Sequence, residues 1–308
     1  MLIHCPLRNK DEVAPLIAAG ADVFYAGARS KIIFGNETGI ANRHPWDYAN
    51  FNSLMNLKSA VAEIHRSNKK INIVINEHFY SSGQINKILK FAENLKDVDG
   101  FIVADLNVIL KLKKFLPNIT LIASTGTHIL NQGTVDFYFD LGIREMILPR
   151  HLKIKEIKGL IKNYKEKINF KCFIKNDDCA YIDGLCRYSH GLCEKEHKSA
   201  CELLHKFKIY GNNSRKVKII SERYKNYHKI IFNECGICSI FEFNKIGVKD
   251  IKIVGRTLPL EHRLKDVAFT KEAIQHLDNC NNKKDFVKFN KKNYFIIYNK
   301  NCLDKCFY

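Results

Sequence analysis

Two periodicities alternate along the chain. Short runs rich in Val, Ile, Leu and Phe occur at 2–5, 22–26, 71–76, 100–104, 120–124, 145–148, 170–174 and 250–254. Between them, apolar residues return every three or four positions at 10–19, 52–66, 85–94, 107–115, 131–141 and 153–164, the spacing of an amphipathic helix. Short β-rich runs separated by helices of this length predict parallel strands joined by right-handed crossovers. Gly20 and Gly142 each close a helical stretch, where a left-handed cap is usual, and each leads straight into a strand. Eight such strands fit a (β/α)8 barrel, an α/β fold of the TIM-barrel kind. A doubly wound open sheet is the alternative, and no G-x-G-x-x-G follows the first strand to favour it.

The beat breaks once. Residues 1–174 read as the first seven strands with their helices, and 250–280 as the last strand and a closing helix at 267–278. Between them, 175–249 has few long apolar periodicities and holds most of the cysteines. The tail, 281–308, contains a short β-rich run at 294–298 and ends in Cys302-x3-Cys306. In a barrel the segment after a strand lies at the C-terminal face, where active sites sit. Cys179 to Cys201 are therefore expected over the mouth, with Cys235 and Cys238 returning towards it before strand eight.

Composition sharpens this picture. Six of the eleven cysteines, Cys179, Cys186, Cys193, Cys201, Cys235 and Cys238, fall in one stretch of about sixty residues. The N-terminus lacks the charged and apolar regions of a signal peptide, and a chain of 308 residues needs no disulfide staples to hold its core. A reducing, cytoplasmic setting and a thiolate set for soft metal follow, either an iron–sulfur cluster or zinc. Cys193-x3-His197 and Cys235-x2-Cys238 have zinc-like spacing. Read blandly, the same residues are small buried hydrophobes. No apolar run approaches the ~20 residues needed for a membrane span. The formal charge of +18 suggests a polyanionic partner such as RNA, although the lysines are dispersed and also serve simply to solvate the surface.

At this point the residues resemble a known family. Phe173-x5-Cys179-x4-Gly184-x-Cys186-x2-Ser189 is similar to the signature of the collagenase-like peptidases, peptidase family U32. The stretches 18–27, 123–125 with 141–150, and 247–256 resemble further family segments in the same order, so the likeness spans roughly 2–280. Some members were named peptidases. Others are oxygen-independent hydroxylases of tRNA or rRNA bases, or of a ubiquinone precursor. These carry a 4Fe–4S cluster on four cysteines, with prephenate as oxygen donor in the RNA-directed cases. The resemblance implies ligation by Cys179 and Cys186, by Cys201 or its rival Cys193, and by Cys235 or Cys238. It also has departures. Lys171 stands where an acidic residue is usual, Asn176, Asp177 and Asp178 replace a small pair before the first cysteine, and Tyr188 replaces an aliphatic residue.

Residues just after the other strands complete the candidate site. Asn76, Glu77 and His78 follow strand three and could position substrate or act as acid and base; otherwise Asn76 ends the strand and His78 is solvated. Asp105 is read as the N-cap of the next helix. Ser124, Thr125 and His128 follow strand five, with no acidic partner in sequence for a hydrolytic triad. Arg150 and His151 end strand six and Arg256 ends strand eight, where guanidiniums suit a small carboxylate co-substrate or a phosphate; surface salt bridges are the plainer role. Cys5 is read as packing, and Cys302 and Cys306 have no fixed role.

The expectation is a barrel bearing a 4Fe–4S-dependent, oxygen-independent hydroxylase site, with RNA or a quinone-type precursor as substrate and zinc as the alternative metal. The short length favours compact family members that act with a paralogous partner protein, whereas the charge favours RNA. A peptidase, and an RNA-binding protein with structural zinc, are the alternatives.

Overall fold

In the computed structural model, residues 1–35, 39–164, 166–176, 179, 183–185, 210–227, 235–302 and 306–308 are described. Eight strands, β1 (Leu2–Leu7), β2 (Val23–Ala26), β3 (Lys70–Ile75), β4 (Gly100–Val103), β5 (Thr120–Ala123), β6 (Glu145–Ile147), β7 (Asn169–Lys175) and β8 (Asp250–Ile253), form a closed barrel in sequence order. Every pairing is parallel, and β8 closes on β1 through Leu2↔Asp250, Ile3↔Ile251 and His4↔Lys252. The predicted fold class is correct, and the strand bounds differ from expectation by at most two residues.

The period of two along each strand separates two apolar sets. Tyr25, Val74, Ile102, Ile122, Ile147, Phe173 and Val254 point inward and pack on one another. Their sequence neighbours, such as Phe24, Ile73, Phe101 and Cys172, face outward into the layer beneath the helices. Cys5 lies in that outer layer, fully buried, so it packs as expected.

Nearer the N-terminal end, the barrel interior is charged. Lys171 Nζ lies 2.8 Å from Glu145 Oε2 and 3.7 Å from Asp250 Oδ2. Asp250 Oδ1 is 2.7 Å from His4 Nε2, and its other oxygen accepts from Asn169 Nδ2. Burial, and then the Lys171 charge, push His4 down to about 3, so the imidazole is neutral and donates to an ionised Asp250. In β8, Lys252 Nζ sits 3.0 Å from the Tyr25 ring centroid, and burial, then the Lys171 charge, push its pKa well down.

Helices follow each strand. They are Val13–Ala19, Leu54–Arg66, Ser82–Glu93, Leu106–Phe115, Gln132–Asp140, Ile154–Ile161, Ile240–Ile246 and Leu260–His276. Their starts are fixed by side chains that accept orphan amides: Ser53 from Asn56, Asp105 from Val108, and Asn131 from Thr134. Ser81 and Gln84 form a reciprocal capping box. The reading of Asp105 as an N-cap is therefore correct.

Three expectations are corrected. The β-rich run at 294–298 belongs to a helix, Lys283–Tyr298, in which Phe286, Asn290 and Tyr294 at four-residue spacing turn to the core. Helical packing there overrides the β preference of the aromatics. The closing helix is longer than 267–278, spanning Leu260–His276. The stretch 175–249 also contains a fourteen-residue helix, Ser214–Tyr227. Its described side chains are mostly exposed, and its apolar positions, such as Val217 and Ile220, are interleaved with charged residues.

Candidate active site at the barrel mouth

The loop after β2 reaches across the C-terminal mouth and is tied to the end of β8. Arg256 is 2% exposed, and its guanidinium donates to Asn50 Oδ1 at 3.0 Å and to Asn42 Oδ1 at 2.8 Å. Asn42 Nδ2 donates to the same Asn50 oxygen at 3.1 Å. Asn50 in turn donates to the carbonyls of His44 and Trp46 at 2.7 and 2.8 Å. Asn50 and Asn42 hold the Arg256 guanidinium through neutral side-chain amides. Gly27 makes this close packing feasible, because a Cβ there would lie 2.2 Å from both Arg256 Nη1 and Asn50 Oδ1.

A buried carboxylate organises the centre. Asp183 is fully buried and is shared by Arg43 Nη1, at 3.2 Å, and Arg150 Nη1, at 3.0 Å. Burial alone would raise the Asp183 carboxyl; the charges of Arg150 and Arg43 outweigh it and hold the group below the usual carboxylate range. Arg43 Nη1 also donates to Thr125 Oγ1 at 2.8 Å, and the Arg150 guanidinium lies 4.1 Å from the Phe173 ring centroid. The Asp183 amide faces His151 Nδ1 at 3.4 Å, which places the imidazole proton on Nε2. Gly184 has φ 97°, and its carbonyl meets His128 Nε2. A side chain on Gly184 would strike the Thr125 carbonyl at 2.4 Å. Five residues after Cys179, the chain is thus clamped onto the mouth by charge, ring and backbone.

The remaining mouth residues fall into two roles. Asn76 accepts from the Arg43 amide at 3.1 Å and donates to Ser124 Oγ at 3.1 Å, linking the ends of β3 and β5. His78 and His128 lie parallel with centroids 5.8 Å apart. Burial, then the Arg43 charge and His128, push His78 down to about 4, so it is a neutral imidazole. Glu77 instead shapes its own turn: it is 6% exposed, Oε1 accepts from the His78 amide at 2.9 Å, and its amide donates to Tyr80 Oη.

Arg256 is therefore a buried member of the mouth, and Arg150, its side chain 10% exposed, pairs with the buried Asp183 there and not on the open surface. Arg43 and Asp183 were missed in the sequence. Arg43 lies in a loop without periodicity, and Asp183 falls at an unspecified position between Cys179 and Gly184 of the cysteine motif.

Among the cysteines, Cys179 is half-buried after β7 and in no disulfide, while Cys186, Cys193 and Cys201 lie outside the described residues. Cys235 pairs with Lys175 in an isolated antiparallel bridge at the end of β7, and the Gly236 amide donates to the Ile174 carbonyl at 2.7 Å. A second bridge joins Cys235 to Cys306. Burial, then the nearby Cys235, Cys306 and Cys302, push the Cys238 thiol up to about 12. The two terminal cysteines thus have a location beside Cys235-x2-Cys238. Cysteines outside any disulfide, on segments that leave β7 and return beside it, have the donor chemistry of an iron–sulfur or zinc site. Among the described residues, no three His, Cys, Asp or Glu side chains already stand together as metal ligands.

Comparison with known proteins agrees with this architecture. The tRNA hydroxylation protein P of Haemophilus influenzae is 29% identical over 176 residues, covering 55% of this chain and 34% of that protein. A 23S rRNA 5-hydroxycytidine synthase of Escherichia coli is 26% identical over 183 residues, covering 59% of this chain and 25% of that protein. The chain thus spans about a third or less of these two relatives. The solved structure of the U32 peptidase Mk0906 has the same fold, with TM-score 0.50 and 11% identity over 84% of this chain and 94% of that one. The profile of peptidase family U32 matches residues 8–308, and the chain belongs to that family.

Proposed function

We propose that this chain is an RNA-modifying enzyme of the hydroxylase type, with its reaction centre at the barrel mouth. The observation that carries the reading is Asp183. Four residues beyond Cys179, it is locked between Arg43 and Arg150, so the thiol-bearing segment is held directly at the mouth. Relatives named for tRNA hydroxylation and for 5-hydroxycytidine synthesis in 23S rRNA support the substrate class, as does the charge of +18.

In this reading Cys179, Cys186, Cys201 or Cys193, and one of Cys235 and Cys238 hold a 4Fe–4S cluster. Such a cluster, when bound, supplies Lewis-acid or electron-transfer chemistry without molecular oxygen. The chain's own residues do the rest. Arg256 and Arg43 bring positive charge for a carboxylate co-substrate or an RNA phosphate. The Nε of Arg150 is buried without a hydrogen-bond acceptor among the described residues, leaving a donor for such a group. His78, neutral and stacked on His128, can accept a proton without first having to lose one. Asn76 and Ser124 offer neutral hydrogen bonds to a base edge.

The test is anaerobic purification with visible absorption and analysis of iron, sulfide and zinc, repeated on Cys179→Ala and Cys186→Ala, alongside mass spectrometry of RNA nucleosides from cells with and without the gene. Brown protein with about four irons, bleached by both substitutions, together with an oxygen-bearing nucleoside lost on deletion, is expected. Colourless protein with stoichiometric zinc and unchanged nucleosides overturns the reading.

A further inference from the structure

Beside the mouth, the loop after β2 carries three aromatic side chains at alternate positions, His44, Trp46 and Tyr48. We propose that they form a stacking platform for an unpaired base of single-stranded RNA, holding the strand so that the neighbouring nucleotide lies over the mouth. This rests on the RNA reading above and names the element that grips the strand.

The three rings follow one another along the loop, and the outer two are stacked. His44 and Trp46 have centroids 5.6 Å apart with planes tilted by 49°, and Trp46 and Tyr48 lie 6.5 Å apart with planes inclined by only 22°. They are not core residues. His44 and Trp46 are half-buried, and Tyr48 is 45% exposed, so the series ends on a ring that the fold leaves in solvent. A large exposed aromatic at the end of a stack is the arrangement on which nucleobases stack without regard to sequence.

The loop is also rigid where it matters. Its backbone is fixed by Asn50, which binds the carbonyls of both His44 and Trp46, and Asn50 is itself held by the buried Arg256. Ala49 closes a turn onto the Trp46 carbonyl at 3.0 Å, and Asp47 is paired with Arg29 at 3.3 Å. A preformed platform loses little freedom on binding. The same loop supplies Asn42 and Arg43 to the mouth, so a base seated on Tyr48 is connected through the loop to the site itself. Phe79, 77% exposed on the loop after the adjacent strand β3, adds another ring at this end of the barrel. Enzymes acting on a base need it out of the stack, and gripping its neighbour achieves that.

Trp46 is the chain's only tryptophan, so intrinsic fluorescence reports on this loop alone. The full chain is titrated with a short single-stranded RNA, with the matching duplex, and with inorganic polyphosphate as a charge control. Binding is followed independently by gel shift. Saturable quenching of Trp46 by the single strand is expected, without quenching by polyphosphate. Tyr48→Ala should weaken single-strand binding on the order of ten-fold while polyphosphate binding stays unchanged. Tyr48 is exposed, so this truncation leaves the fold intact, which circular dichroism checks; Trp46→Phe should retain binding. RNA that binds without altering Trp46 fluorescence and without sensitivity to Tyr48→Ala overturns the platform and leaves the RNA reading standing. Failure of any RNA to bind overturns both.

Discussion

Arg150 holds Asp183 twice: its Nη1 and its own backbone amide both donate to Oδ2, at 3.0 and 3.4 Å. The pair is buried, and Arg43 completes it from the opposite loop. Removing the carboxylate leaves two guanidiniums facing each other out of water. Asp183→Ala is therefore expected to cost about 3–5 kcal/mol, the usual penalty for breaking a buried ion pair. Urea unfolding measures this, and limited proteolysis should show faster cleavage after β7. Unchanged stability would mean that the clamp does not hold the segment.

Stability should fall on acidification, and the barrel interior should cause it. His4 in the folded chain is pushed down to about 3, whereas an unfolded histidine takes up its proton near 6.5. Between those values only the unfolded chain binds the proton, so stability drops as pH falls, by up to about 1.4 kcal/mol per pH unit from this group. Asp250 acts in the same direction further down. Its folded carboxyl lies below the usual value despite burial, through His4 and Lys171, so its contribution is present above the unfolded pKa of about 4 and is lost as pH falls. Replacing His4 by Asn should flatten the profile between pH 6 and 4, roughly the window set by these shifts. Urea midpoints across that range are the check.

Gly27→Ala tests the tie between the β2 loop and β8. The new methyl would sit 2.2 Å from Arg256 Nη1 and from Asn50 Oδ1, so both must move. A loss of about 1–3 kcal/mol is expected, as for overpacking elsewhere, with a shift in Trp46 emission as its loop is released. A variant with wild-type melting and emission would show that the loop yields easily.

The choice between Cys235 and Cys238 is also open to experiment. Cys235 is bridged to Lys175, the last residue of β7, from which the Cys179 segment departs, whereas Cys238 lies in the Ile237–Ser239 turn that continues into a helix. Cys235→Ser should therefore remove the iron absorption, and Cys238→Ser should retain most of it. The reverse pattern would assign the fourth ligand to Cys238.

The barrel was legible in the sequence because burial on both faces writes β-branched runs between helices with clean caps. The tail helix was not, since Tyr294 and Tyr298 favour strands locally and only packing of Phe286 and Tyr294 on the barrel decides otherwise. Arg150 and Arg256 were found because they directly follow strands. Arg43 lies seventeen positions past the end of β2, and its place in the mouth depends on Asn42, Asn50 and Arg256 meeting across the fold. Glu77 lies at the expected end of the barrel, and the hydrogen bond its Oε1 accepts from the His78 amide is one that no local pattern foretold.

The charged interior of the barrel bears on how this sequence can change. Lys171 lies against both Glu145 and Asp250 and supplies the positive charge between them. Replacing it by glutamate would gather three carboxylates, at 145, 171 and 250, and remove the ammonium that now lies between two of them. Position 171 can be exchanged only together with 145 or 250, and ancestral or consensus libraries built on this chain should vary the three as one unit.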